Sequence, residues 1–154
     1  MIELSAIHVA RVDTVAGAVL AVETKGQGFV EITREVARFL DKVKARDGMV
    51  LVYLMHTSAS LVIQENADPD VQTDLVTALE RIAPADGGWV HEVEGPDDMP
   101  AHIKSMLNGV SLQVPVIAGK MTLGTWQGIY VAEHRARAHR REVALQFLGA
   151  CAPQ

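Results

Sequence analysis

MVLVYLM, residues 49–55, is apolar nearly throughout. A run so short and so uniform fits a strand buried on both faces. His56-Thr57-Ser58 interrupts it, and residues 59–64 resume an extended pattern. Upstream, Gly48 stops a helix that has Thr33 as its N-cap and Glu35 in its first turn; Val36, Phe39, Leu40 and Val43 share one apolar face. Lys42 and Lys44 suit the negative end of that helix's dipole. Downstream, Asp68-Pro69-Asp70 opens a second helix, with the aspartate as N-cap and proline at the first helical position. Val71, Leu75, Ala78, Leu79 and Ile82 form its buried stripe, and Pro84 ends it.

Farther out the chain reads mostly as strands. Residues 2–10 alternate loosely, and residues 15–24 form a run richer in Val and Ala. Lys-Gly-Gln-Gly (25–28) is a turn, residues 29–32 are a short extended piece, and Asp86-Gly87-Gly88 is a flexible turn. Residues 100–107 predict a short helix with Gly109 as its C-terminal cap. Val110, Leu112, Val114 and Val116 alternate as a half-buried strand, and residues 118–120 turn the chain. Residues 126–133 and 142–148 are two further strands, joined by a run rich in arginine. Strands outnumber helices and the links are short. The expectation is an α+β fold in a single domain, with a largely antiparallel mixed sheet packed against two longer helices and one short helix.

At 154 residues, 49% hydrophobic, the chain is long enough for one real core, and with aromatics at 5% that core must be built from Val, Leu, Ile and Ala. A net charge of −5 argues against a nucleic-acid partner, which calls for a basic face. One cluster departs from this balance: Arg135, Arg137, Arg140 and Arg141, with His134 and His139 among them. It reads either as a solvated turn or as a cradle for a small phosphorylated metabolite. The single Cys151 allows no intrachain disulfide, which suits a reducing cytoplasm. MIELSAIHVA has no signal-peptide pattern, and no apolar run approaches the ~20 residues that span a bilayer. A cytoplasmic protein without a membrane partner is expected.

Chemistry concentrates in HEVEGPDDMPAHIK, residues 91–104: two histidines, four carboxylates and a lysine, with Pro and Gly shaping the backbone. His91 and His102, with His56 after the buried strand, are the candidate metal ligands, because catalytic zinc takes three protein ligands and leaves a place for water. The spacing is no compact motif, so separate hydrogen-bonded histidines are the plainer alternative. Glu65, Asp68 and Glu133 are candidate acid-base carboxylates or magnesium ligands. Helix capping by itself explains Asp68 fully and is the favoured reading there, and an arginine partner explains Glu133 as well as catalysis does. Thr57, Ser58, Asn66, Lys104, Gln127, Arg135 and Arg141 are candidates for binding phosphate or substrate. A serine nucleophile is disfavoured, as no GxSxG elbow surrounds Ser58 or Ser60.

Three stretches, HTSASLVIQENADPDVQTDL (56–75), HEVEGPDDMPAHIKSMLNGVSLQVPV (91–116) and LGTWQGIYVAEHR (123–135), resemble the YjbQ family, also called UPF0047. The resemblance covers about residues 19–149. It implies a YjbQ-like domain there, an N-terminal extension at 1–18 carrying an extra strand, and a tail at 150–154. It also implies an α+β domain that assembles as a homotrimer, and an association with thiamine phosphate synthase activity. The family's polar positions fall on His56, Thr57, Asn66, Asp68, His91, Glu94, Asp97, His102, Trp126, Gln127 and Glu133, which favours a shared site on His56, His91 and His102. Members often carry Gly-Pro before the final arginines. Here the chain reads His134-Arg-Ala-Arg-Ala-His-Arg-Arg141, and no role carries over to His139.

Thiamine phosphate synthesis joins a hydroxymethylpyrimidine diphosphate to a thiazole phosphate and releases pyrophosphate. That chemistry requires a divalent metal and cations on the departing group. The dedicated enzyme is a TIM barrel of typically ~250 residues, beyond the reach of this chain, so any such activity here would be convergent or incidental. Three histidines and a water suit a metal-dependent hydrolase of a small phosphorylated metabolite better, with zinc ahead of magnesium. A non-catalytic trimeric metabolite-binding protein is the third reading.

Overall fold

The apolar run lies inside a longer strand. In the computed structural model, which describes residues 1–152, the chain forms β1 (Thr14–Glu23), β2 (Gly28–Glu31), α1 (Thr33–Lys42), β3 (Ala45–Leu54) and β4 (Ala59–Glu65). There follow α2 (Pro69–Ile82), α3 (Asp98–Asn108), β5 (Ser111–Ile117), β6 (Lys120–Met121), β7 (Gln127–Glu133) and β8 (Arg140–Cys151). The α+β expectation holds, in a different layout. There are two sheets, ordered β1-β8-β3-β5-β6 and β2-β7-β4. Every strand pairing among the described residues is antiparallel, so the sheet is not mixed. At 11 residues, α3 is no shorter than the 10-residue α1.

The inner faces of both sheets close on α1. Val50, Val52, Leu54, Val114, Val116, Val143, Leu145 and Phe147 of the larger sheet meet Leu61, Ile129 and Val131 of the smaller one, together with Val36, Phe39 and Leu40 of the helix. Each large side chain buried here stabilises the fold by roughly 1.5–3 kcal/mol. β3 is buried on this face alone: Met49 and Tyr53 on its other face are 38% and 44% exposed. The apolar run is thus a half-buried strand, because no helix covers the outer side as helices do in a parallel sheet.

Several local readings shift for physical reasons. Thr33 is not the N-cap but the first residue of α1, and its hydroxyl accepts from the Ile129 N–H at 2.9 Å, tying the helix to β7. Gly48 does not stop α1, which ends at Lys42, with Lys44 in the left-handed region at φ 54°. Gly48 lies instead in β3 beside an irregularity, paired with Gly149 of β8, where a Cβ would run into the Leu148 carbonyl. Asp68 does cap α2, accepting from the Asp70 N–H at 2.9 Å. The stripe assigned to α2 is not buried: Val71, Leu75 and Leu79 are half-buried and Ala78 and Ile82 exposed, because the helix rests on β2 at the rim of a sheet only three strands wide.

At the N-terminus, residues 2–10 form no strand and are exposed; regular pairing begins with β1. At the other end β8 runs through Ala150 and Cys151, so the segment 150–154 begins as strand, and residues 153–154 lie outside those described. No helix among the described residues is long and apolar enough to cross a membrane.

Candidate metal centre

The start of α3 is where the chemistry gathers. Asp98 opens the helix and His102 stands one turn on, so i,i+4 spacing puts both on one face. The preceding loop returns His91 to the same place. His91 Nε2 lies 2.8 Å and His102 Nε2 3.2 Å from a single oxygen, Asp98 Oδ2. Ligand atoms of these three residues all fall within 4.8 Å of one another. The aspartate side chain is 2% exposed, whereas His91 and His102 are 47% and 33% exposed, so a buried carboxylate faces two rings open to solvent.

The surroundings orient each member. His102 Nδ1 donates to the Thr57 carbonyl at 2.9 Å; a carbonyl can only accept, so the neutral ring has its lone pair on Nε2. Two imidazole nitrogens on one carboxylate oxygen then require a proton or a cation between them. The other oxygen, Asp98 Oδ1, is bonded by Arg135 Nη1. Arg135 is held in turn by Asp97 Oδ2 at 3.0 Å and the Glu94 carbonyl at 2.8 Å. The Ala136 N–H also donates to Asp97 Oδ2, at 2.8 Å. Burial would raise the Asp97 carboxyl, but the Ala136 N–H and Arg135 outweigh it and hold it below the ordinary range. Arg135 on the far oxygen of Asp98 and the Thr57 carbonyl on the second nitrogen of His102 are the kind of outer partners that orient metal ligands.

The atoms that converge are those of His91, Asp98 and His102; His56 is not among them, although it lines the same groove as His102. His56 Nε2 accepts from the Glu142 N–H at 2.8 Å, and burial, reinforced by Arg141, lowers its pKa. Asp98 was missed because it sits in a run of four carboxylates; the signal that singles it out is its i,i+4 relation to His102.

The remaining candidates divide between the two ends of the smaller sheet. At the near end Glu133 is fully buried and gripped by Arg141, with Nε–Oε2 at 2.8 Å and Nη2–Oε1 at 2.6 Å. Thr24 Oγ1 and the Arg135 N–H also donate to it. Burial pushes the Glu133 carboxyl up, yet these partners hold it below its usual value. Arg141 further donates to Ser58 Oγ at 3.2 Å. Lys104 is buried and paired with Glu80, while Gln27 donates to the same carboxylate oxygen at 2.6 Å. Glu133 is thus an internal counter-ion, and the predicted phosphate cations Lys104, Arg135 and Arg141 each already face a carboxylate.

Glu65, Asn66 and Gln127 lie at the far end. β4 pairs with β7 from Ala59↔Glu133 to Glu65↔Gln127, and six residues of strand span about 20 Å. There the Asn66 N–H donates to the Trp126 carbonyl and Gln127 Oε1 accepts from the Gly124 N–H, ordinary turn contacts. Asp68 is exposed and engaged in its cap.

Comparison with known proteins agrees with this fold. A family model described as UPF0047 protein YjbQ-like matches residues 18–150. UPF0047 protein sll1880 of Synechocystis is 42% identical, over 85% of this chain and 90% of its own. UPF0047 protein YjbQ of Escherichia coli O157:H7 is 40% identical, over 84% and 95%. Among solved structures, a YjbQ/UPF0047 protein of Clostridium acetobutylicum superposes with a TM-score of 0.79 at 38% identity, covering 84% of this chain and 98% of that one. A YbjQ-like protein of unknown function from Sulfolobus solfataricus gives 0.83 at 25% identity, covering 89% and 99%.

Proposed function

Because the chain belongs to the YjbQ-like UPF0047 family, and its chemistry must be read from the site, we propose that His91, Asp98 and His102 hold a divalent metal that serves hydrolysis of a small metabolite. The observation that carries this reading is the convergence of two imidazole nitrogens on one buried carboxylate oxygen. Two nitrogens and one oxygen suit zinc, and a catalytic zinc takes three protein ligands plus water. Magnesium, which prefers oxygen ligands, fits less well. Bound zinc brings water close to ionisation at neutral pH, and the exposed rings leave room for substrate.

The diphosphate-transfer reading has less support. Stabilising a departing pyrophosphate takes free cations, and Lys104, Arg135 and Arg141 are buried against Glu80, Asp98 and Glu133. The same pairings weaken the case for a phosphorylated metabolite. Self-association, with a trimer as the expected state, draws support from the outer face of the larger sheet, where Val15, Val19, Met49 and Ile117 are exposed together.

Elemental analysis of untagged protein tests the metal site. About one zinc or similar ion per chain is expected, lost in His91→Ala and in Asp98→Asn but retained in His56→Phe. Protein that takes up no transition metal after incubation with zinc, iron(II) or manganese refutes the site.

A further inference from the structure

Beside His102 the surface opens into a groove whose walls come from the end of β3, the residues after it, and α3 with its C-terminal turn. Tyr53, Met55, Met106 and Val110 supply the apolar wall; His56, Thr57 and Ser105 supply the polar one. No Lys, Arg, Asp or Glu lines it. Away from the proposed metal itself, an anionic group seated along this groove would meet no counter-charge from its walls. A neutral, largely apolar group needs none and gains by covering Tyr53, Met55 and Met106, which are 44%, 43% and 76% exposed.

The polar wall adds a second constraint. Since His56 Nε2 accepts the Glu142 N–H, its proton sits on Nδ1. No protein acceptor engages that Nδ1–H among the described residues, so the ring offers one hydrogen-bond donor without bearing charge. The next residue, Thr57, anchors His102 through its carbonyl. The donor and the proposed metal ligand thus line the same groove, linked through Thr57. A neutral imidazole donor near a metal-type site polarises a carbonyl oxygen, where negative charge develops as the carbon is attacked.

We infer that the groove of Tyr53, Met55, Met106 and Val110 seats the acyl part of an uncharged ester or amide, with His56 Nδ1–H directed to its carbonyl oxygen and the His91–Asp98–His102 centre beside it. The inference rests on the metal-site reading and names its substrate class. In the reaction, the oxygen of water bonds to the carbonyl carbon and the acyl C–O or C–N bond breaks. The bonding pair leaves with the alcohol oxygen or amine nitrogen, which takes up a proton. The products are a carboxylic acid and an alcohol or amine, and no oxidant, reductant or co-substrate is needed.

The test uses the full chain reconstituted with zinc, with metal content measured on the same samples. Hydrolysis of p-nitrophenyl acetate, p-nitrophenyl butyrate and p-nitrophenyl phosphate is compared, and binding of acetanilide and of phenyl phosphate is followed by saturation-transfer NMR. The expected pattern is ester turnover that depends on zinc, with butyrate ahead of acetate and little or no phosphatase activity; acetanilide binds and phenyl phosphate does not. His56→Phe should lower kcat/KM about 100-fold, the loss typical of one oxyanion donor, while zinc content stays unchanged. His56→Gln, which keeps an acceptor for Glu142 and a donor for the groove, should recover part of it. Met106→Glu, on an exposed position that leaves the core intact, should raise KM for the esters and abolish acetanilide binding. Zinc bound at one per chain together with a preference for the phosphate, or ester turnover indifferent to both His56→Phe and Met106→Glu, would overturn the inference and leave the metal site standing. Failure to bind any metal would overturn both, and the metal analysis distinguishes the two cases.

Discussion

Glu133→Gln is the substitution that puts the interior of this protein to the sharpest test. The carboxylate is 0% exposed and Arg141 4% exposed, so neither charge is screened by water. The amide keeps the size and shape of the side chain but removes its charge, and its NH2 must point toward at least one of the donors from Arg141, Arg135 or Thr24. Removing one partner of a buried ion pair costs about 3–5 kcal/mol, because the other charge stays buried and unpaired. With a urea slope in the usual range, the unfolding midpoint should fall by roughly 2 M at fixed protein concentration. Replacing both partners, Glu133→Leu with Arg141→Met, should recover much of the loss, since the penalty belongs to the stranded charge. The sign with pH follows from the lowered folded-state pKa: the contribution is full above the unfolded value of 4.5 and is lost as pH falls through the folded one. The gap between wild type and Glu133→Gln should thus hold from pH 7 to about 4.5 and close only below it. A midpoint shift under about 0.5 M at pH 7, or a double variant no better than the single one, would refute this account.

Three further outcomes are expected. Burial, with Lys104 nearby, pushes His134 down from 6.5 to about 4, so the unfolded chain binds an extra proton between those values; stability should fall by roughly 3 kcal/mol on acidification from pH 6.5 to 4, and His134→Gln should flatten that slope in urea titrations. Gly48→Ala places a methyl against the Leu148 carbonyl and the Gly149 backbone; a loss of about 1–3 kcal/mol is predicted in thermal unfolding, and a variant as stable as wild type would show that the β3–β8 approach is looser than described. Asp68→Ala should lower stability by about 1 kcal/mol through the lost cap and leave metal content and turnover untouched; a selective loss of turnover would restore Asp68 as a catalytic candidate.

Parts of the candidate site were legible because they depend on neighbours along the chain. The concentration of His91, His102 and four carboxylates in one loop-to-helix stretch is visible in the residues themselves, and so is the cap that accounts for Asp68. Glu133 was readable as one of two alternatives, and the structure shows the arginine partner that one of them named, Arg141 eight residues on. Asp98 was hidden. Its i,i+4 spacing to His102 is the one local signal; Arg135 holds Asp97 and Asp98 alike, and only the fold buries Asp98 against the two histidines while Asp97 stays 23% exposed.

By itself the sequence determined the α+β class, most of the strands and helices, the α2 cap and the family, because periodicity, capping chemistry and turn residues act over a few positions and long motifs are specific. Tertiary structure decided the rest. Antiparallel pairing sent Glu65 and Gln127 to one end of the smaller sheet and Glu133 to the other. The absence of a covering layer turned a run expected to be buried on both faces into a half-exposed strand. Ion pairing set a carboxylate against each of the three cations expected to bind phosphate. Each of these outcomes depends on which surfaces meet across long sequence separations, where burial makes a charge seek the nearest opposite charge, and that distance is a property of the fold alone.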